Sequence, residues 1–119
     1  MVAVEVTDEF RTWYEDLSEA EQESIYRVVT LLEVKGVGLG APYSSAILGS
    51  RYALRELRIQ HQGDPYRVFY AFDPKRQAVL LLGGNKGGND QFYDQYVPAA
   101  ETIWEGYLAE QAVEGDKPG

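Results

Sequence analysis

Two runs in the middle of the chain change character at every residue, and a period of two commits that segment to strands. In LRELRIQ, Leu54 to Gln60, the side chains of Leu57 and Ile59 fall on one side and those of Glu56, Arg58 and Gln60 on the other. In YRVFYAFD, Tyr66, Val68, Tyr70 and Phe72 oppose Arg67, Phe69 and Ala71. The intervening QHQGDP reads as a hairpin loop, and Asp73-Pro74 opens the next turn. A third run, AVLLL from Ala78 to Leu82, is apolar on both parities and so predicts a central strand. Tight loops between such runs imply an antiparallel sheet.

The flanks have the helical period instead. Phe10, Trp13, Tyr14 and Leu17 recur at i, i+3, i+4 and i+7, with Thr7 or Asp8 available as N-cap. Ser18 and Glu21 have capping-box spacing, after which Ile25, Val28, Val29 and Leu32 continue a second helix until Gly36 stops it. These form an N-terminal helical hairpin, with room for a short strand over Val2 to Val6. The Gly- and Ser-rich GVGLGAPYSSAILGS reads as an extended connection. Past Asn89, Phe92, Tyr96, Ala100, Ile103 and Tyr107 share one helical stripe, and Pro98 predicts a kink or a fresh helix start. The class is therefore α+β, with one domain over residues 1–112 and a flexible C-terminal tail over 113–119.

Composition narrows the function classes. With no cysteine and one histidine, His61, neither disulfides nor a zinc site is expected, and no metal or other cofactor is called for. No apolar run approaches the roughly 20 residues that cross a bilayer, and MVAVEVTDEF lacks the features of a signal peptide; a soluble, cytoplasmic protein with no membrane partner is expected.

The formal charge of -8 argues against a nucleic-acid partner until its distribution is considered. Met1 to Gly36 has nine acidic residues against three basic, and Asn89 to Gly119 seven against one. Between them, Arg51, Arg55, Arg58, Arg67, Lys75, Arg76 and Lys86 meet only Glu56, Asp64 and Asp73. The sheet region is a basic island in an acidic chain. If helices cover its apolar face, Arg58 and Arg67 are left on an open basic face; alternatively these arginines pair with Glu56, Asp64, Asp73 or the acidic helices. GGNKGGND, Gly83 to Asp90, lies between the last strand and the last helix. It reads either as an anion-binding loop with Lys86 as its cation or as a glycine-rich exit turn. His61 has the pKa of a general base, but its loop position suits a solvated side chain.

LRELRI, YRVFYAF and VLLLGGNKGGNDQFY, with the closing amphipathic helix, together resemble the RelE/HigB-type toxins of bacterial type II toxin-antitoxin modules, in particular the phage Gp49-like HigB branch. The resemblance spans Phe10 to about Leu108 and implies a RelE-like fold: an N-terminal helical hairpin, a twisted antiparallel sheet and a C-terminal helix. It also implies a metal-independent endoribonuclease that cleaves mRNA on the ribosome and inhibits translation. The implied partner is a cognate antitoxin of helix-turn-helix type. By position it makes Arg67, Arg58, Lys86 and Tyr93 catalytic, and Arg55, Asn85 and Phe69 substrate-binding. Two departures stand out: Glu56 occupies a place where a second strand cation is expected, and a glycine follows Lys86. A ParE-like inhibitor of DNA gyrase and a catalytically silent binding module are the alternatives on the same scaffold.

Overall fold

The computed structural model describes residues 1–115. In chain order it contains β1 (Val4–Val6), α1 (Asp8–Glu15), α2 (Glu19–Lys35), a 3-10 turn (Gly36–Gly38), β2 (Ser44–Ala46), β3 (Arg55–His61), β4 (Asp64–Phe72), β5 (Ala78–Asn85) and α3 (Phe92–Gly115). The strands form one sheet in the order β1-β5-β4-β3-β2. All pairs are antiparallel except β1 with β5, which run parallel.

Caps fix the helical hairpin. Thr7, rather than Asp8, is the N-cap of α1: its hydroxyl oxygen accepts the Phe10 N–H and the same hydroxyl donates to the Leu81 carbonyl, which ties the start of α1 to β5. Ser18 and Glu21 complete both halves of a capping box on α2. The buried stripe of α1 and α2, Phe10, Ile25, Val28 and Leu32, packs on Leu57, Ile59, Val68, Tyr70 and Leu80 of one sheet face.

The opposite face carries α3. Leu54, Phe69, Ala71, Val79 and Leu81 meet Phe92, Ala100 and Trp104, so the sheet is sandwiched between helices. This corrects the expectation of an open basic face, for the apolar stripe from Phe92 to Tyr107 needs apolar sheet to cover, and the inner strands supply it on both sides. Pro98 lies inside α3, which is assigned unbroken across it. The tail expected at 113–119 is helical as far as Gly115, and residues 116–119 lie outside the described residues.

Two further elements differ from the sequence reading. His61 pairs with Asp64, leaving only Gln62 and Gly63 in the hairpin loop, at φ 49° and 85°. Two consecutive positive φ values are what a two-residue turn needs to match the strand twist. The supposed connection also contains β2, which pairs antiparallel with β3 from Ser44↔Leu57 to Ala46↔Arg55.

Midway along, β5 has a bulge. Phe69 pairs with Leu82 and Tyr70 with Leu80, so Leu81 is the extra residue. Gly83 and Gly84 then face opposite helices. A Cβ on Gly83 would lie 2.2 Å from the Trp13 ring, and one on Gly84 would lie 2.6 Å from Tyr96. Helix and sheet come together at both points because there is no side chain between them.

Candidate active site

Arg58 and Arg67 stand directly opposite each other on β3 and β4. Two like charges at such a pair repel, so the arrangement requires a counter-ion. Glu56, two residues before Arg58 on the same side of β3, provides it. Its Oε2 lies 3.4 Å from Arg58 Nη2 and its Oε1 3.5 Å from Arg67 Nε. The Glu56 side chain is 4% exposed, that of Arg67 12% and that of Arg58 47%. One buried carboxylate thus serves a nearly buried and a half-exposed guanidinium.

The rest of the site arrives with α3. Tyr93, in its first turn, donates its hydroxyl to Glu56 Oε1 at 2.8 Å and accepts from Arg67 Nε at 3.4 Å. Burial first, and then the bond to Glu56, holds the phenol above its ordinary pKa of 10. It is therefore a neutral hydrogen-bonding group at physiological pH. The Ser45 hydroxyl donates to Glu56 Oε2 at 3.2 Å, and Arg67 Nη1 donates to the Tyr66 carbonyl at 3.0 Å. Lys86 Nζ lies 5.6 Å from the centre of the Tyr93 ring, within cation–π range. A cleft of about 390 Å³ opens here, lined by Glu56, Arg58, Lys86 and Tyr93 together with Ile47 and Leu48.

Gly84 makes this convergence possible. It pairs with Arg67 on β5, and its missing side chain admits Tyr96, one turn beyond Tyr93, against the sheet. The loop that follows is organised as an exit turn. The N–H of Lys86 donates to Pro65 O, that of Gly87 to Asn85 Oδ1 and that of Asn89 to Lys86 O. Those amides are used within the fold, so Lys86 contributes to the cleft through its ammonium, not through a backbone cradle.

Four of the residues singled out in the sequence, Arg58, Arg67, Lys86 and Tyr93, therefore come together, and three do not. Arg55 is on the α2 side of β3, where Nε donates to Ser44 Oγ at 3.1 Å and to Tyr70 OH at 3.3 Å. It shares its parity with Leu57, and every second residue of a strand faces the other way. Phe69 is fully buried and stacks between the sheet and the rings of Phe92 and Tyr96, out of reach of any substrate. Asn85 pairs with Tyr66, one residue past the position opposite Arg67, and its side chain closes the exit turn. His61 is also on the α2 side, with Nδ1 2.7 Å from Ser24 Oγ, half-buried rather than solvated in a loop.

Asp73 does not serve the arginines either. Its carboxylate accepts the N–H groups of Lys75 and Gln77, the Gln77 side chain and the Tyr107 hydroxyl. Of the pairings the sequence offered for the arginines, the one with Glu56 is formed, and the residue that sequence reasoning missed is Ser45 behind it. The alternation of β3 did carry a signal for Glu56, since it groups Glu56 with Arg58 on one side.

Comparison with known proteins agrees with this architecture. Residues 12–105 match the family described as phage-derived protein Gp49-like (DUF891). The chain is 36% identical over 112 residues to the candidate toxin HigB3 of Mycobacterium tuberculosis (strain ATCC 25618 / H37Rv), covering 92% of this chain and 96% of HigB3. It is 37% identical over 101 residues to the candidate toxin HigB2 of the same organism, covering 82% of this chain but spanning only half the length of HigB2. Among solved structures it resembles a mutant form of the E. coli toxin RelE in the free state, with a TM-score of 0.55 and 9% identity over 76% of this chain and 90% of that one. That likeness shows the fold alone. With a matched segment that takes in α2, strands β2 to β5 and the Tyr93 end of α3, the chain belongs to the phage-derived Gp49-like family of RelE/HigB-type toxins.

Proposed function

We propose that the protein is the toxin of a type II toxin-antitoxin pair and acts as an endoribonuclease on mRNA held by the ribosome. The observation that supports this best is that Arg58, Arg67 and Tyr93 converge on one buried carboxylate, Glu56, with Lys86 over the Tyr93 ring, and that Glu56, Arg58, Lys86 and Tyr93 line one cleft. RNA can be cut by attack of a ribose 2'-hydroxyl on its own 3'-phosphate. The 2'-oxygen forms a bond to phosphorus as the bond to the 5'-oxygen breaks, giving a 2',3'-cyclic phosphate and a 5'-hydroxyl. The reaction needs an acceptor for the 2'-hydroxyl proton, a donor for the 5'-oxygen and cations for the charge that develops on the phosphate.

Arg58 and Arg67 supply that positive charge, with Arg67 aimed by its bond to the Tyr66 carbonyl. A phosphate entering the cleft replaces Glu56 as their counter-ion. The carboxylate is then left with Tyr93 and Ser45 and is the acceptor available for the 2'-proton, reached through the Tyr93 hydroxyl. Lys86, at the open edge, stabilises the phosphate, and its ammonium gives the proton that turns the departing 5'-oxygen into a hydroxyl. The cognate antitoxin opposes this activity, and the helix-turn-helix type remains the form expected of it.

Induced expression followed by primer extension on cellular mRNA tests the reading. Cuts phased to codons support it. DNA breaks with an SOS response in place of such cuts point to gyrase, and neither effect points to a binding module without catalysis.

A further inference from the structure

The cleft at the candidate active site has a second set of lining residues that the cleavage chemistry does not use. Beside Glu56, Arg58, Lys86 and Tyr93 it is lined by Ala46, Ile47, Leu48 and Val97, all apolar. Leu48 is 93% exposed. A leucine scattered on a surface needs no explanation, but this one joins three apolar neighbours in the lining of a cleft whose other members carry charge.

The loop that presents Leu48 is held firmly. Residues 47–54 join β2 to β3, and the Ile47 N–H closes the loop by donating to the Leu54 carbonyl at 3.0 Å. Glu101 of α3, only 8% exposed, accepts the Ser50 hydroxyl and the Arg51 N–H on Oε2, both at 2.8 Å, and its Oε1 lies 3.7 Å from Arg51 Nε. Glu105 accepts the Tyr52 hydroxyl and lies 3.7 Å from Arg51 Nη2. The Arg51 N–H first, and then the Ser50 hydroxyl, hold the Glu101 carboxyl below its ordinary range, so it is a carboxylate at physiological pH.

Helical spacing connects these contacts to the chemistry. Tyr93, Val97, Glu101 and Glu105 follow one another at intervals of four along α3 and so form one row on its surface. The row starts with the phenol that bonds Glu56, continues with an apolar residue of the cleft and ends with the two carboxylates that hold the loop. One helix thereby fixes the apolar lining relative to the cations.

Resting on the endoribonuclease reading, we propose that Ile47, Leu48 and Val97 form a nucleobase subsite for a nucleotide whose phosphate lies on Arg58 and Lys86, and that Glu101 is its positioning residue. Charge complementarity names the occupant. A phosphate on those two cations brings its own sugar and base into the same cleft, and the lining left for the base is apolar. Aliphatic side chains cover the face of a base without reading its hydrogen-bonding edge, so the subsite adds affinity for any base rather than sequence choice.

The test titrates the full chain, with labelled leucine and valine methyl groups, against two probes. One is a trinucleotide of deoxyadenosine, which has no 2'-hydroxyl and is not cut; the other is the same sugar-phosphate strand without bases. NMR should show the Leu48 and Val97 methyls shifting with the first probe, which is expected to bind at least about fivefold more tightly than the second. Leu48→Ser should reduce that ratio to about twofold or less. Glu101→Ala should reduce it likewise, and Glu101→Gln, which keeps an acceptor oxygen for the Arg51 N–H, should restore most of it; a role confined to stability would weaken both probes alike and leave the ratio unchanged. Equal binding of the two probes, no shift of the Leu48 methyls, or an unchanged ratio in Leu48→Ser would overturn the subsite and leave the apolar lining to a side chain of a protein partner. The parent's ratio in a folded Glu101→Ala protein would overturn the role of Glu101. Leu48 lies on the surface, so its variant decides the subsite whatever Glu101→Ala does to the fold. No ribosome and no cleavage are involved, so mRNA cleavage in induced cells decides the toxin reading separately.

Discussion

Arg67 and Glu56 lie 3.5 Å apart, Nε to Oε1, on adjacent strands, both nearly buried beneath the first turn of α3. The cation proposed to act on the phosphate is thus also part of the fold's interior. Arg67→Ala should therefore cost stability as well as activity, in contrast to removal of a surface charge. Glu56 retains Arg58, Tyr93 and Ser45, so we expect a loss of ~1–3 kcal/mol rather than complete unfolding. Adding Glu56→Gln removes the stranded charge and should recover part of that loss while cleavage stays abolished. Denaturant melts of the two single variants and the double variant measure the coupling. Independent, additive effects would show that the pair is not energetically joined.

The two glycines that end β5 make a packing prediction. Gly84→Ala places a methyl group where the Tyr96 ring lies, 2.6 Å away, and should cost ~1–3 kcal/mol by pushing α3 off the sheet. Gly38→Ala, with open space around it, should be neutral or nearly so. A Gly84→Ala protein as stable as Gly38→Ala would mean that the close approach of α3 is not required.

Glu21 predicts how stability depends on acid. Its carboxylate accepts the Tyr66 hydroxyl and the Ser18 N–H, and these bonds, the one from Tyr66 foremost, hold its pKa down to about 2. The same contact pushes the Tyr66 phenol up to about 12. A carboxylate whose pKa is lower folded than unfolded adds stability that is complete above its unfolded value, about 4.5, and is lost as pH falls toward 2. The thermal midpoint should therefore decline across that window. Glu21→Gln should be less stable than the parent at pH 7 and should show a shallower decline. Parallel curves for the two proteins would remove Glu21 from the account.

The strands and helices were legible because each has a clear period and the caps use side chains of recognisable spacing. Thr7, Ser18 and Glu21 act where the pattern places them. The side taken by α3 was not legible. Alternation divides β4 into two sets, Tyr66-Val68-Tyr70 and Arg67-Phe69-Ala71, but both contain apolar residues, and only packing shows that both are covered. Arg55 was assigned by resemblance alone, although its parity in β3 is that of Leu57. Asn85 too was assigned by resemblance alone; the Leu81 bulge sets the phase of β5, and nothing in AVLLLGGN marks where the extra residue falls. Glu56 looked like a departure from a basic face. At the centre of the cluster it is the residue that lets Arg58 and Arg67 sit opposite each other.

The central claim, that this cluster cleaves RNA, is tested most directly by single-turnover cleavage of mRNA on programmed ribosomes with the double variant Arg58→Met/Lys86→Met. It removes the two cations outside the buried Glu56–Arg67 pair, which stays balanced, so the fold should be retained. Folding is confirmed by the thermal midpoint and ribosome binding by co-sedimentation. The account predicts cleavage slower by about 10³-fold, since each cation acts on charge that develops only as the phosphate reacts. Cleavage within about threefold of the parent by a folded, ribosome-bound double variant would contradict it, because too little of the barrier would then depend on these charges.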